Sequence, residues 1–446
     1  MLPLLLIITF CVLGVLTGII TGLLPGLHVN NIALILLSFS TTIVLLLGPL
    51  SSMGISQEFI LCLIAIYIIS VSISHTFHDV IPTTFLGAPD EDTALSVLPA
   101  HSLLLEGNGY EAVALSAMGS FGAIIVSFIL LYPIRFIIGV PLLFYDTLQD
   151  IMFFVLLAIT ILMITTEKGR IEIGGLKGIY PSIFGMIFAT FLFLLSGIFG
   201  LIALDIPVSS PIGLDSPVLF PALSGLFGFP TLLTSLLTKP NIPKQNIVEP
   251  KLDKTTKKSG ILSIITGSAA GVLVSIIPGI TSATGTILAM NTRGEADSRQ
   301  TIITLSAVNT ACAFFVVVVL FIILRARSGA TLAAMQLISV SNWSFSLMPT
   351  YLIYLLIALL LGGTLSYFFT LKMGKLFARY FTRLPYQKLV ATTIISIVIL
   401  VFLFTGFMGV LILLIATTIG LLPVQWGVRR SHCMGILLLP IMLYFL

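Results

Sequence analysis

Long runs without an acidic or basic side chain set the pattern of this chain. They cover residues 1–57, 112–134, 178–204, 216–238, 259–292, 300–324, 328–371, 389–428 and 431–446. A helix needs about 20 apolar residues to cross a bilayer, so these runs predict an all-α polytopic membrane protein of roughly 10–12 membrane segments. Two runs have the wrong length for whole crossings. The first predicts a hairpin over 2–50 and the other a hairpin over 259–291, each entering the membrane, breaking and returning. Composition agrees: of 446 residues 58% are hydrophobic and 9% charged, with mean hydropathy +1.18. No water-soluble core could bury that much apolar surface. Residues 1–25 lack the positive start of a signal peptide and read as a retained membrane helix.

Charge placement orients the spans. Residues 1–134 hold seven acidic residues and no Lys or Arg, whereas basic residues cluster at Lys168–Lys177, Lys239–Lys258, Lys372–Lys388 and Arg429–Arg430. Cytoplasmic loops collect Lys and Arg, so these four clusters share one side of the cell membrane. The Pro-containing basic stretch 239–258 is then a cytoplasmic linker between a first repeat, 1–238, and a second, 259–446. Walking the spans from it predicts two halves of opposite orientation, an inverted repeat. Arg325 and Arg327 fall on the wrong side and are the one exception. The arms 135–150 and 372–388 read as interfacial helices, either anchoring to membrane lipid or forming a homodimer scaffold.

The repeat is visible in the residues. "GVLTGIITGLLPGLH" (14–28) aligns without a gap on "GSAAGVLVSIIPGIT" (267–281). Glycines every four residues let another helix approach closely, and each stripe ends at a Pro-Gly pair, Pro25-Gly26 and Pro278-Gly279, where proline removes a backbone donor. Polar residues follow: His28, Asn30 and Asn31 in the first copy, Thr281, Ser282 and Thr284 in the second. A helix restarting there exposes N–H groups and the positive end of its dipole, suited to carboxylate or phosphate oxygens. Paired interrupted helices are the sequence mark of a transporter site, and the half-helix C-termini can offer carbonyls to Na⁺. Packing between helices alone is the competing reading of the stripes.

The polar tract 72–123 carries the remaining candidates. His75 and His78 lie on one helix face beside Asp79, a partial metal set with no third ligand by spacing and no HExxH. Proton handling or gating is the alternative, and an ordinary polar loop the plain one. Asp90, Glu91 and Asp92 read as helix-start acids or, more sharply, as a cation-coupling cluster. "SHT" at 74–76 matches "VNT" at 308–310 in relative position, which would turn His75 and Asn309 toward one cavity. The four cysteines lack metal-ligand spacing and read as buried thiols.

Pro89, Thr93-Ala94-Leu95, Pro99, Gly107, Ala114-Leu115 and Gly119-Ser120, with the two Pro-Gly pairs and "SAVNTACA" (306–313), resemble the tripartite tricarboxylate transporter large-permease (TctA) family. Asn309 is followed by Thr310 where that family usually has a second Asn, and the loop after residue 324 lacks a Pro-Gly. Both departures suggest a divergent, archaeal-type branch. The resemblance implies transport, a soluble binding protein and a small membrane subunit as partners, and a tricarboxylate-like cargo. Taken together, the expectation is a secondary transporter, not an enzyme, holding a small organic anion between the two breaks. It would need no cofactor beyond Na⁺ or H⁺ as coupling ion and would bind no nucleic acid. Two alternatives stand beside it: a translocase of an isoprenoid-phosphate lipid carrier, whose lipid phosphate the same helix ends would grip, and an intramembrane enzyme using His75, His78 and Asp79. No nucleotide-binding loop is present.

Overall fold

The computed structural model describes residues 2–24, 29–87, 97–167, 180–213, 218–238, 242–250, 254–292, 297–344, 347–383 and 385–446. Every regular element among them is helical. The principal ones, leaving out five short helical segments, are in chain order α1 (Leu2–Leu23), α2 (Val29–Ser38), α3 (Gln57–His78), α4 (Val97–Leu105), α5 (Gly109–Ile138), α6 (Phe144–Asp150), α7 (Met152–Thr165) and α8 (Tyr180–Ala203). Then come α9 (Leu219–Thr238), α10 (Lys254–Ile276), α11 (Ser282–Asn291), α12 (Ser298–Ile323), α13 (Gly329–Leu337), α14 (Thr350–Tyr380), α15 (Tyr386–Trp426) and α16 (Gly435–Tyr444). Among the described residues nine helices are long and apolar enough to span a membrane, and α6 with α7, bent by 76°, can make a tenth. The protein is a polytopic helical membrane protein.

Helix α15 covers two predicted spans. At 41 residues it would run about 60 Å if straight, twice a bilayer core. Gly406, at φ 64° and ψ −161°, interrupts it, in a backbone region essentially restricted to glycine. Helix α9 touches both arms. Phe220 meets Phe404 near the break, an ideal Cβ on Gly225 would lie 2.5 Å from Ala416 Cβ, and Gln387 Nε2 donates to Ser235 O. One helix can touch residue 404 at one end and residue 387 at the other, with 416 between, only if the arms fold back as a hairpin.

The helices gather into two bundles. In the first, α1 packs on α3, α10 on α12, and α5 and α14 join both pairs. In the second, α8 packs on α15 and α16, α9 lies along α15, and α7 meets α16. The glycine stripes explain the first bundle. An ideal Cβ would lie 2.6 Å from Ser70 Cβ at Gly14, 2.5 Å from Ser74 Cβ at Gly18 and 2.9 Å from His78 Cβ at Gly22. The second stripe repeats this: 2.8 Å to Ala307 Cβ at Gly267 and 2.6 Å to Ala311 Cβ at Gly271. Real Cβ atoms essentially never come so close, so each stripe must stay bare for the backbones to meet.

The two halves of the chain are joined within this bundle. Gly119 gives α12 its closest approach, with an ideal Cβ 2.6 Å from Ile303 O, and Ser116 and Ser306 share a hydrogen bond of 2.7 Å. Glu111 holds Arg299 through two bonds of 2.7 and 3.0 Å. The described part of the linker, 242–250, lies as an ordered strap over this end. Gly109 N donates to Gln245 Oε1 at 2.8 Å, Asn246 N to Gly107 O at 2.7 Å, and Lys375 pairs with Glu249 at 2.7 Å.

The arms differ from expectation. Arg135 is no surface anchor: it is 5% exposed and donates to the carbonyls of Trp343, Val140 and Ser344, closing chain ends that apolar surroundings would otherwise leave unsatisfied. Much of 372–388 is the continuation of α14 rather than a separate surface helix.

Candidate functional site

A cavity of about 450 Å³ is lined by Asn30 at the start of α2 and by Pro278, Gly279 and Thr281 between α10 and α11. The second break is built from its residues. Helix α10 stops at Ile276, Pro278 carries no N–H, and Gly279 takes φ +75°, which turns the chain so that α11 runs back along α10. An ideal Cβ on Gly285 would lie 2.5 Å from Val274, as that reversal requires. Thr281 precedes α11 in an extended conformation and makes no side-chain cap, so the first-turn N–H groups rely on other partners. Its hydroxyl is buried and has no hydrogen-bond partner.

The first hairpin reaches the cavity through the start of α2. Asn30 Oδ1 accepts from Gly329 N at 2.8 Å, and its backbone sits so close to Gly329 that an ideal Cβ there would lie 2.5 Å from Asn30 O. The N-termini of α2 and α13 are thus pinned together. Helix α3 adds Ser72 and Thr76, and α12 adds Asn309. Asn309 Oδ1 accepts from Ser282 Oγ at 3.2 Å, linking α12 to the first turn of α11. The loop between α12 and α13 contributes Arg327 and Ser328. Arg327 Nη2 donates to Tyr145 Oη at 2.9 Å, while its Nε is buried without a partner. The apolar part of the lining includes Ile277 and Val316 from the first bundle and Leu219 and Leu437 from the second. The cavity therefore lies between the bundles.

Of the residues read from the sequence, Asn30, Pro278, Gly279, Thr281 and Asn309 line this space. Ser282 stands behind it, and Thr284 is fully buried with an unpartnered hydroxyl. Pro25, Gly26, His28 and the acidic trio 90–92 lie outside the described residues, as does the side chain of Asn31.

His75, His78 and Asp79 are buried but are not among the lining residues. They sit where α1 packs: His75 Nδ1 is 3.2 Å from Thr21 Oγ1. His78 Nδ1 donates to Ser74 O at 2.7 Å, and its Nε2 lies 3.3 Å from Thr370 Oγ1, so both ring nitrogens have partners within the helix packing. Among the described residues no group of three His, Cys, Asp or Glu is placed to hold a metal. The pairing of His75 with Asn309 is corrected. Because the stripes set Ser70 equivalent to Ala307 and Ser74 to Ala311, Asn309 corresponds to Ser72, and these two do share the cavity.

Arg327, Ser328, Ser72 and Thr76 were not singled out from the sequence. Arg327 had a signal, since it broke the distribution of cations between the two sides. A cation on the wrong side of such a pattern has a specific use more often than a topological one.

Helices interrupted around a half-polar cavity, inside a polytopic bundle, define a membrane permease architecture. The chain belongs to the tripartite tricarboxylate transporter TctA family, whose profile matches residues 8–435, nearly the whole length. The motif resemblance noted in the sequence therefore holds throughout, and the protein is a transporter-family membrane protein. It is similar to an uncharacterized protein of Methanocaldococcus jannaschii, 27% identical over 448 residues and covering 98% of each chain, in keeping with an archaeal-type branch. No solved structure matches it.

Proposed function

We propose that this protein is a secondary active transporter that moves a small organic anion across the cell membrane, binding it in the cavity between the interrupted hairpins. One observation carries the reading: the uncapped start of α11 with its unpartnered Thr281 hydroxyl, the start of α2 and Arg327 all border one half-open cavity. Backbone donors at helix starts, the dipole and a guanidinium are a carboxylate-binding set. Irregular backbone at membrane depth persists only where it is buried or lines a cavity.

In this reading residues 1–238 and 259–446 are inverted repeats joined by the cytoplasmic strap, and access alternates as the first bundle moves against the second. Leu219 and Leu437 suit such an interface, because apolar contacts are non-directional and slide without leaving polar groups unpaired. Carbonyls freed at the end of α10 are candidates for Na⁺; H⁺ is the other coupling ion to test.

The test is a thermal-shift screen of the purified protein against di- and tricarboxylates, amino acids and polyprenyl phosphates, with and without Na⁺. Uptake by proteoliposomes of any anion that binds completes it. Replacing Pro278-Gly279 by Ala-Ala should leave membrane insertion intact and reduce uptake at least tenfold. Undiminished uptake by that variant removes the site, and a shift with polyprenyl phosphate alone replaces transport of a small anion by lipid-carrier translocation.

A further inference from the structure

The charge balance of the cavity narrows the cargo further than the family name does. Among the described residues lining it, Arg327 carries the only formal charge. We propose that the substrate is a singly charged carboxylate bearing an apolar body, with Arg327 as its counter-charge. The inference rests on reading this cavity as the anion site.

Arg327 is held ready for one partner. Tyr145, 5% exposed, accepts from Arg327 Nη2 at 2.9 Å and from Gln149 Nε2 at 3.1 Å. Its ring lies 5.6 Å from the guanidinium carbon, and Arg327 N donates to Thr331 Oγ1 at 3.1 Å. These contacts fix the side chain and leave the buried Nε with no acceptor. A carboxylate fills that vacancy with a charge-assisted hydrogen bond, the geometry for which a guanidinium is suited. Thr281, 6% exposed and unpartnered at its hydroxyl, supplies a second donor at the start of α11. That helix end adds about half a positive charge.

The site can orient one carboxylate and offers little to a second or third. Among the described lining residues no second cation is present. Ser72, Thr76 and Asn309 offer neutral polar groups, and Leu219, Ile277, Val316 and Leu437 form an apolar wall. A second or third carboxylate would therefore lack a counter-charge, which is disfavoured. The same wall favours a hydrocarbon or aromatic body, whose transfer from water is favourable in proportion to its buried area. Tricarboxylates, with three charges to neutralise, fit this cavity poorly. Tyr145 is the positioning residue, acting through Arg327.

The test is calorimetric titration of the full-length protein in nanodiscs at pH 7 with acetate, hexanoate, 3-phenylpropanoate, succinate and citrate. The wild type, Arg327→Gln, Arg327→Lys and Leu437→Asn are compared. The expected result is tightest binding for 3-phenylpropanoate or hexanoate, weakened at least tenfold by Arg327→Gln and less by Arg327→Lys. Leu437→Asn should weaken these two more than it weakens acetate. Succinate or citrate binding more tightly than every monocarboxylate overturns the inference while the anion site stands. Failure of the wild type to bind any of the five overturns the anion reading itself. Full affinity in Arg327→Gln removes the counter-charge. Should that variant lose its cooperative unfolding, the wild-type series and Arg327→Lys decide.

Discussion

Gly279→Ala is the sharpest test of the second break, because two separate costs meet at one methyl group. The backbone there has φ +75°, and an L-residue in the left-handed region costs about 1–2 kcal/mol. The new Cβ would lie 2.6 Å from Ile441 Cδ1 but 3.6 Å from Ile441 Cγ1. Only a terminal methyl has to move, at about 0.5–1.5 kcal/mol if Ile441 leaves its rotamer. Lower entropy of the unfolded chain returns about 0.4–1 kcal/mol. The net strain, about 1–2 kcal/mol, is relieved when the loop leaves the conformation that presents Thr281. Apparent affinity then falls with the fraction of competent loops, by about five- to thirtyfold at 1.4 kcal/mol per decade. Titration of the bound anion into Gly279→Ala, Ile441→Ala and the double variant separates the two costs. The double variant should recover the steric part and keep the backbone part. Unchanged affinity in Gly279→Ala, or no recovery in the double variant, refutes the reasoning.

Three further outcomes follow from the packing. Gly271→Ala should destabilise the protein by about 1–3 kcal/mol through overpacking, since its Cβ would lie 2.6 Å from Ala311 Cβ and 2.7 Å from Val308 O. On the same helix Gly260→Ala meets only Ile303 Cδ1, at 3.7 Å, and should stabilise by up to about 1 kcal/mol; unfolding titrations in SDS check both signs.

Burial of Glu167 acts to raise its pKa, but the hydrogen bond to His432 and those to Arg429 outweigh it and hold the carboxyl down to about 2. A depressed folded pKa gives stability that is present above the unfolded value of 4.5 and lost as pH falls toward 2. Glu167→Gln should therefore cost about 1.5–3 kcal/mol near pH 7, with the gap to wild type narrowing as pH falls from 4.5 toward 2 in melting curves. Gln245→Ala should release the strap, because Gly109 N and Leu104 O lose their partner; limited proteolysis should then cut within 242–250 faster, and an unchanged rate refutes the clamp.

Legibility followed the range of the interactions. The break at Pro278-Gly279 and the glycine stripes were readable because each acts on its own backbone within a turn or two. What that break faces was not. Asn30 bonds Gly329 and Arg327 bonds Tyr145, partners far apart in the chain that no periodicity announces. The match of "SHT" with "VNT" misled by three residues, nearly one helical turn, since alignment by residue type ignores the register that close packing at Gly14 and Gly267 imposes. Arg135 misled in the same way: next to an apolar run it resembles an interfacial anchor, and only the folded chain brings the carbonyls of Trp343 and Ser344 to it.

The sequence alone determined that this chain is a polytopic membrane protein and that the helix before Pro278-Gly279 stops there. Each follows from local properties: side-chain hydrophobicity, the missing N–H of proline and the freedom of glycine. Tertiary structure alone decided that the second break and the start of α2 border one cavity, that Arg327 is the one formally charged residue among the described residues lining it, and that apolar side chains share that lining. Those depend on which helices pack together, and packing sums many weak contacts between distant residues that no short stretch of sequence contains.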